Sequence, residues 1–514
     1  MGTIRWPAMD VLSLRDRWSA RLNPMFVRCL RQELRSKGFM TAYLLLLLGG
    51  TIVSLFMAHL ASDAALSETS DAGRHGRWLF NILAWAWGFI LIVWQAGATN
   101  RAVLQERQDD TWDLVELTGL GPRRLVHGLL LTSIVQGAVY TAGLAPFLAM
   151  AYLLRGLDLV AVLEAFLLVP MAGAVASAWA VLIAAGSPAR RPRGLAGGLV
   201  ILLLLVPWFA LSGPLFSGMG GSSLLGTLAG KGWEGLITGL LILHAWALLL
   251  WLPLVLAESL LSHRADDRSS RPRLAAAVAA GSCIVWAGIG AGVGLFLTQR
   301  NWWEPFMIAA IPLATLAVIT GFFAGTEDEA LTVRQARALA NRPRWIRGLF
   351  GPGDRRGLRL AALLGALALA MAGIATLGHN GSRVFDLLRG CWFALVYAAA
   401  LFLIGDRLLR GPLAPWITTP GQRRGGLLAV VAVATLLPLI GTILPGSTLT
   451  EVSQLLSPPV AIARLAGDDA WDGFRTVVTS LAVPILVWFV ARLWPRAAIT
   501  RQVVADGTTE HPRG

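Results

Sequence analysis

Residues 39–61 read FMTAYLLLLLGGTIVSLFMAHLA, a long run without a charged side chain. An α-helix of about 20 residues is long enough to cross a hydrocarbon core of about 30 Å. Backbone groups inside lipid have no water to bind, so helix is the expected conformation of such a run. Residues 39–61 therefore predict a transmembrane helix, and they decide how the rest of the chain is interpreted.

Eleven further segments are comparably apolar, and the whole chain has 514 residues, of which 55% are hydrophobic and 14% charged. Soluble domains carry about 25% charged residues, so an ordinary soluble protein is excluded. We therefore expect an all-α fold, a polytopic membrane helical bundle of about 12 transmembrane helices. The predicted spans are 39–61, 78–98, 126–154, 158–186, 195–216, 236–257, 274–297, 305–325, 359–378, 390–406, 427–445 and 476–494.

The net charge of +14 would favour nucleic-acid binding in a soluble protein. With the N-terminus inside, however, 35 of the 44 Lys and Arg residues fall in the inside segments and nine fall outside. The acids divide into 18 inside and 12 outside. Basic loops stay on the cytoplasmic side, so the charge is an orientation signal rather than a nucleic-acid site. It predicts that both termini are cytoplasmic.

The polar stretch 262–273, SHRADDRSSRPR, divides the predicted spans into two groups of six. In each half the inside loop after the second span is long, which is a weak internal repeat of topology. The predicted parts are a cytoplasmic N-terminal segment, a first six-helix module with inside loop 99–125 and a second module with inside loop 326–358, with bounds 1–38, 39–262 and 263–514.

The residues before the first span, 24–38, predict an amphipathic interfacial helix. Its apolar face would rest in the bilayer surface while its cations face anionic headgroups. In the second half, Thr326 and Glu329 have the spacing of a capping box and predict a helix over 326–340. The proposed apolar face of the N-terminal helix is Phe26, Leu30 and Leu34, and its basic face is Arg28, Arg31 and Arg35.

Polar residues inside spans are the candidate functional groups of a membrane protein. Glu164 lies near the start of its predicted span, which favours an acid near the interface. Gln95 and Gln136 favour interhelical hydrogen bonds over ligand contacts. His244 could line a path, and its sequence context shows no acidic partner.

The chain shows no catalytic motif of its own. A P-loop needs Gly-Lys-Ser/Thr, and the only lysines, Lys37 and Lys231, are each followed by Gly. Three widely spaced cysteines form neither a disulfide framework nor a metal motif. We therefore expect no bound cofactor or metal, and ATP with Mg²⁺, if used, would be bound by a partner subunit.

Residues 23–39, NPMFVRCLRQELRSKGF, resemble the basic helix that precedes the first span in the ABC-2 (type-2 exporter) permeases. Residues 100–131, NRAVLQERQDDTWDLVELTGLGPRRLVHGLLL, resemble the family's cytoplasmic coupling segment, which contacts the ATPase. A weaker likeness, LSPPVAIA, lies at 456–463. The coupling residues implied by the resemblance are Glu106, Arg107, Thr111, Trp112, Leu114, Leu117, Thr118 and Pro122.

The resemblance implies a permease of a bacterial inner membrane that exports a substrate with energy from a cytoplasmic P-loop ATPase. The loop 99–125 carries slightly more acids than bases, which favours protein docking over contact with anionic lipid. Whether one chain supplies both modules or a second permease chain is needed is open.

Two other functions are compatible with the sequence. One is a non-transporting membrane scaffold or assembly subunit with the same architecture, which an absent ATPase partner would favour. The other is a membrane transferase acting on a lipid carrier, with outer acids as its candidate groups. Those acids are Glu451, Asp468, Asp469 and Asp472.

Overall fold

A computed structural model of the chain describes most of residues 23–427. The described residues are 23–66, 72–108, 121–154, 157–186, 224–262, 267–295, 302–327, 335–336, 339, 343–378, 382–412 and 422–427. Within these ranges all regular secondary structure is helical. The chain divides into two compact units, Met1–His263 and Arg264–Gly514.

The described helices of the first unit are α1 (Pro24–Leu34), α2 (Lys37–Leu66), α3 (Ala72–Phe89), α4 (Gln95–Gln108), α5 (Pro122–Leu153), α6 (Leu159–Gly186), α7 (Leu224–Gly230) and α8 (Trp233–Leu261). A five-residue π-helical turn, Ile90–Trp94, joins α3 to α4 without a break. The continuous helix Arg74–Glu106 is called span 2 below.

The second unit contains α9 (Ser270–Val293), α10 (Glu304–Gly325), α11 (Arg344–Leu349), α12 (Asp354–Gly378) and α13 (Ser382–Arg410). A short helical segment at 422–427 follows.

Nine helices in the described part of the chain are long and apolar enough to cross a membrane. They coincide with nine of the predicted spans, and the chain is a multi-pass membrane protein of helical architecture. The other three predictions, 195–216, 427–445 and 476–494, lie outside the described residues.

Span 2 is at the centre of the first unit. Of its apolar window 56% is buried, compared with 17% for α2 and for α8. Its fully buried Trp87 donates from Nε1 to Thr141 Oγ1 of α5 at 3.3 Å. Gly173 of α6 lets the π-helical turn approach, because a Cβ there would lie 2.9 Å from Leu91 Cβ. Without a hydrophobic driving force between helices in lipid, such close packing is a main source of association.

The second unit is built around α10, which packs against α9, α12 and α13. Its contact face carries small residues such as Ala310 and Ala317. Gly321 gives Phe402 of α13 room, since a Cβ at Gly321 would be 2.7 Å from Phe402 Cε2. Span 2 likewise contacts the first, third and fourth spans of its own unit. In the described part of each unit, the second span therefore contacts three other spans.

Candidate functional site

Helix α1 begins at an Asn-Pro pair whose asparagine has two roles. Asn23 Oδ1 accepts from Met25 N at 3.1 Å, which caps the helix, and Pro24 occupies the first turn, where its missing N–H is harmless. Asn23 Nδ2 also donates to the carbonyl of Arg124 at the start of α5. The N-cap thus fixes α1 to the chain that follows the segment 109–120.

Helix α1 packs against α5 through Met25 and Cys29, which are 3% and 8% exposed. Phe26, Leu30 and Leu34, which the sequence predicts as the face in the bilayer surface, are half-buried.

Gly128 of α5 makes this approach possible. A Cβ at Gly128 would lie 3.1 Å from the backbone nitrogen of Phe26 and 3.2 Å from Met25 Cβ. Because one contact is with backbone, a larger side chain could not be accommodated by a rotamer change alone. Gly128 was not predicted as a contact residue, since a glycine in an apolar helix carries no pattern that identifies its partner.

Helix α1 also contacts the chain on the N-terminal side of residues 109–120, at Glu106. Arg28 Nη2 donates to Glu106 Oε1 of α4 at 3.0 Å. The Arg28 side chain is 54% exposed and that of Glu106 is 17% exposed, so the pair lies at the surface. Such a pair contributes about 0–1 kcal/mol, and its main effect is on orientation. Helix α1 therefore contacts the predicted coupling segment on both sides of residues 109–120, at Glu106 and at Arg124.

A second polar contact joins α1 to the bundle. Glu33 accepts a hydrogen bond from the Gln136 side chain of α5 and lies close enough to Arg101 for an electrostatic interaction. Burial raises the pKa of Glu33 above its ordinary value, and the Gln136 bond and Arg101 partly offset this rise.

Cys29 is the buried thiol of this interface. Burial raises its pKa to about 11, and the nearby Glu106 carboxylate acts in the same direction. A thiol reacts as the thiolate, so Cys29 is protected from alkylation while α1 is docked.

Only part of the predicted coupling segment is described. Pro122 follows the N-cap Gly121 at the first position of α5, and Arg107 lies in α4. The remaining predicted residues, Thr111, Trp112, Leu114, Leu117 and Thr118, lie outside the described residues.

The end of α8 lies at the same end of the unit as the start of α5. His127 Nδ1 lies 3.3 Å from Glu258 Oε1. A Cβ at Gly186, where α6 ends, would lie 3.8 Å from Leu260 Cδ1. We call this region, where α1 begins and span 2, α6 and α8 end, the basic end of the first unit.

A polar network lies within the first unit directly after the π-helical turn. Gln95 Nε2 donates to the Ser133 carbonyl and, at 2.6 Å, to Ser133 Oγ of α5. Ser133 Oγ lies 2.6 Å from Ser177 Oγ of α6. Asn100 donates to the Ala180 carbonyl at 3.0 Å. These bonds tie span 2 to both neighbouring helices.

The structure does not bring the remaining intramembrane candidates into this network. Glu164, interpreted from sequence as an acid near the interface, lies six residues into α6 and is only 3% exposed. His244 is half-buried on α8. Glu451, Asp468, Asp469 and Asp472 lie outside the described residues.

The second unit holds a buried cation that sequence reasoning missed. Arg273 Nη2 donates to Glu327 Oε2 at 2.7 Å and to the Gly353 carbonyl at 2.8 Å, and Nη1 donates to the Gly351 carbonyl. Arg273 thereby joins the start of α9 to the end of α10 and to the 351–353 loop.

Thr326 belongs to the same cluster, and its predicted role is wrong. It follows the last turn of α10 as the C-cap residue, and its hydroxyl donates to the Phe323 carbonyl at 2.9 Å. It also accepts from Arg424 Nε at 3.2 Å. The preceding apolar run simply continues to Gly325, so Thr326 ends a helix instead of capping the start of the next. Glu329, its predicted partner, lies outside the described residues.

No protein-family description, no curated protein and no solved structure matches this chain.

Proposed function

We propose that this chain is the membrane-spanning permease subunit of an ABC exporter in a bacterial cytoplasmic membrane. It has twelve spans in two groups of six, both termini are cytoplasmic, and ATP is hydrolysed by a separate P-loop ATPase. The ATPase docks on the inside loop 99–125, with Trp112 and Leu117 as apolar anchors and Glu106 and Arg107 as charged neighbours.

The observation that carries this proposal is the bracing of the coupling segment by α1. Asn23 bonds to the Arg124 carbonyl, and Arg28 pairs with Glu106 at 3.0 Å. A force applied to 109–120 would therefore reach α1 and, through α4 and α5, two membrane spans. That connection suits a segment that transmits movement from a soluble motor to a helical bundle.

The exposed side of α1 supports an interfacial position for this helix. Arg28, Arg31 and Arg35 are exposed and recur at helical spacing, about a quarter of a turn away from the buried Met25 and Cys29. Cations on the outer face of a helix next to a membrane span interact favourably with anionic headgroups. Helix α1 would then rest between the bilayer surface and α5.

The proposal is tested by co-purification from the native membrane. Tagged full-length protein is expected to retain a P-loop ATPase, identified by mass spectrometry. Changing Glu106→Ala together with Trp112→Ala should lower the retained ATPase roughly tenfold or more, because an aromatic anchor often dominates an interface.

The matched control is Trp233→Ala with Glu234→Ala, an exposed Trp-Glu pair at the opposite end of the unit. This variant should retain the ATPase fully. Absence of any P-loop ATPase from the wild-type preparation would refute the permease proposal. Equal retention by both double variants would place the docking site outside 99–125.

A further inference from the structure

Near the basic end of the first unit, span 2 carries a cation that folds back onto an exposed tryptophan. The Arg101 guanidinium carbon lies 5.9 Å from the centroid of a Trp94 ring. The two residues are two helical turns apart, on one face, and helix side chains lean towards the N-terminus. Trp94 is 40% exposed and Arg101 is also exposed. The cation and ring therefore form one amphipathic surface that is open to its surroundings.

The start of α2 lies beside this surface. A Cβ on Gly38 would be 3.9 Å from Trp94 Cζ2, so the first turn of α2 contacts the tryptophan. Lys37, the first residue of α2, is exposed, and so is Arg35, two residues earlier. Tryptophan favours the membrane–water interface, which places these cations at the level of the lipid headgroups.

An exposed apolar stripe runs along α2 on the side of Lys37. Met40, Leu44, Leu48 and Ile52 recur every four residues and are 48%, 51%, 60% and 65% exposed. Residues four apart lie on the same face of a helix. The cationic site thus opens onto a continuous apolar strip that runs into the bilayer.

The carboxyl group of Glu33 interacts electrostatically with Arg101. It is half-buried and accepts a hydrogen bond from Gln136. Arg101 remains exposed on its other side. With Arg35 and Lys37, the site keeps an excess of positive charge towards the lipid.

We propose that this surface is a binding site for an anionic phospholipid. The phosphate lies between Arg101 and Lys37, the headgroup rests on Trp94, and one acyl chain follows the Met40–Ile52 strip. Basic residues between helices at the cytoplasmic side attract anionic headgroups, and a cation held over an aromatic ring is already partly desolvated. A bound lipid would connect the start of the first span to the end of the second.

Native mass spectrometry of the full-length protein tests this site. The protein in neutral detergent is incubated with dioleoylphosphatidylglycerol or with the zwitterionic dioleoylphosphatidylcholine, and the retained lipids are counted. We expect preferential retention of phosphatidylglycerol. Arg101→Gln should weaken it about fivefold, the effect of one juxtamembrane cation, and Arg101→Lys should retain most of the binding.

Arg77→Gln is the matched control, because Arg77 is an exposed arginine next to an exposed tryptophan at the other end of span 2. It should leave phosphatidylglycerol retention unchanged, and all variants should share the wild-type thermal unfolding midpoint in detergent. Equal retention by wild type and Arg101→Gln would overturn the proposal. So would complete displacement of the lipid by millimolar inorganic phosphate, or capture of a protein by a photoreactive residue at position 40.

Discussion

At the residue scale, Arg273 is a buried cation that joins the start of α9 to the end of α10 and to the 351–353 loop. It is 4% exposed, and its guanidinium reaches one carboxylate and two carbonyls. Gly357 lies against it so closely that a Cβ there would be 2.5 Å from Arg273 Nη2. Gly353, with φ +114°, adopts a backbone conformation that favours glycine and donates from its N–H to Glu327 Oε2 at 3.2 Å. The loop is thus shaped around the buried cation.

Replacing Arg273 should therefore be severely destabilising. Arg273→Met removes the cation that pairs with Glu327 and the donor of two loop carbonyls, so it should lower the free energy of unfolding by about 3–5 kcal/mol. Arg271→Met removes an exposed arginine from the same turn and should change it by less than about 0.5 kcal/mol. Denaturant unfolding in detergent micelles measures both.

If the Arg273→Met variant does not accumulate in cells, the stability of Arg273→Lys tests the same prediction. A lysine keeps the charge but lacks the planar fork that bonds several acceptors at once, so it should be less stable than wild type. Wild-type stability of either variant would show that the cluster contributes little.

At the element scale, the docking of α1 depends on the missing side chain at Gly128. Gly128→Leu should push α1 away from α5, because the nearest atoms include the Phe26 backbone nitrogen at 3.1 Å. Cys29 would then lose its burial, and its pKa should fall from about 11 towards the ordinary value of a cysteine thiol, 9.0. In a Cys283→Ala/Cys391→Ala background, labelling by a water-soluble maleimide should accelerate by up to about a hundredfold near neutral pH.

Gly49→Leu is the corresponding control, since a Cβ at Gly49 has no other atom within 4 Å. It should leave Cys29 as slowly labelled as in the parent protein. Rapid labelling of the parent itself would mean that α1 is not held against α5 in solution.

The contrast between α1 and the spans shows what sequence patterns specify. A charge-free run such as 39–61 is constrained by lipid along its whole length, so its position along the chain is readable. The buried face of α1 instead depends on Gly128 and Asn23, and their contacts lie about a hundred residues apart in sequence. Thr326 was misassigned for a related reason, because the same hydroxyl can serve either end of a helix and Arg424 is distant in sequence.

The candidate site also combines residues that local sequence patterns identify with contacts between residues that are distant in sequence. The pairing of Arg28 with Glu106 joins residues that the sequence had assigned separately to α1 and to the coupling segment. Ser133 and Ser177, the partners around Gln95, were not identifiable, because serines in apolar helices are common and only the packing of three helices brings these two together.

At the scale of the whole molecule, corresponding spans make the same contacts in the two units. In each, the second span contacts the first, third and fourth spans of its own unit. In each, a basic residue at or before the first span pairs with an acid at the end of the second, Arg28 with Glu106 and Arg273 with Glu327. These correspondences support the hypothesis that the chain contains two copies of one helical module.

The direction of α8 makes the topology testable. Helix α6 ends at Gly186 beside Leu260, near the end of α8, so both helices run towards the basic end. The predicted span 195–216 would return the chain across the membrane between these two helices. Reporter fusions after residues 190 and 262 should be cytoplasmic, and those after 156 and 231 should be external. If the fusions after residues 190 and 231 lie on the same side of the membrane, residues 195–216 do not span it and the twelve-span arrangement is wrong.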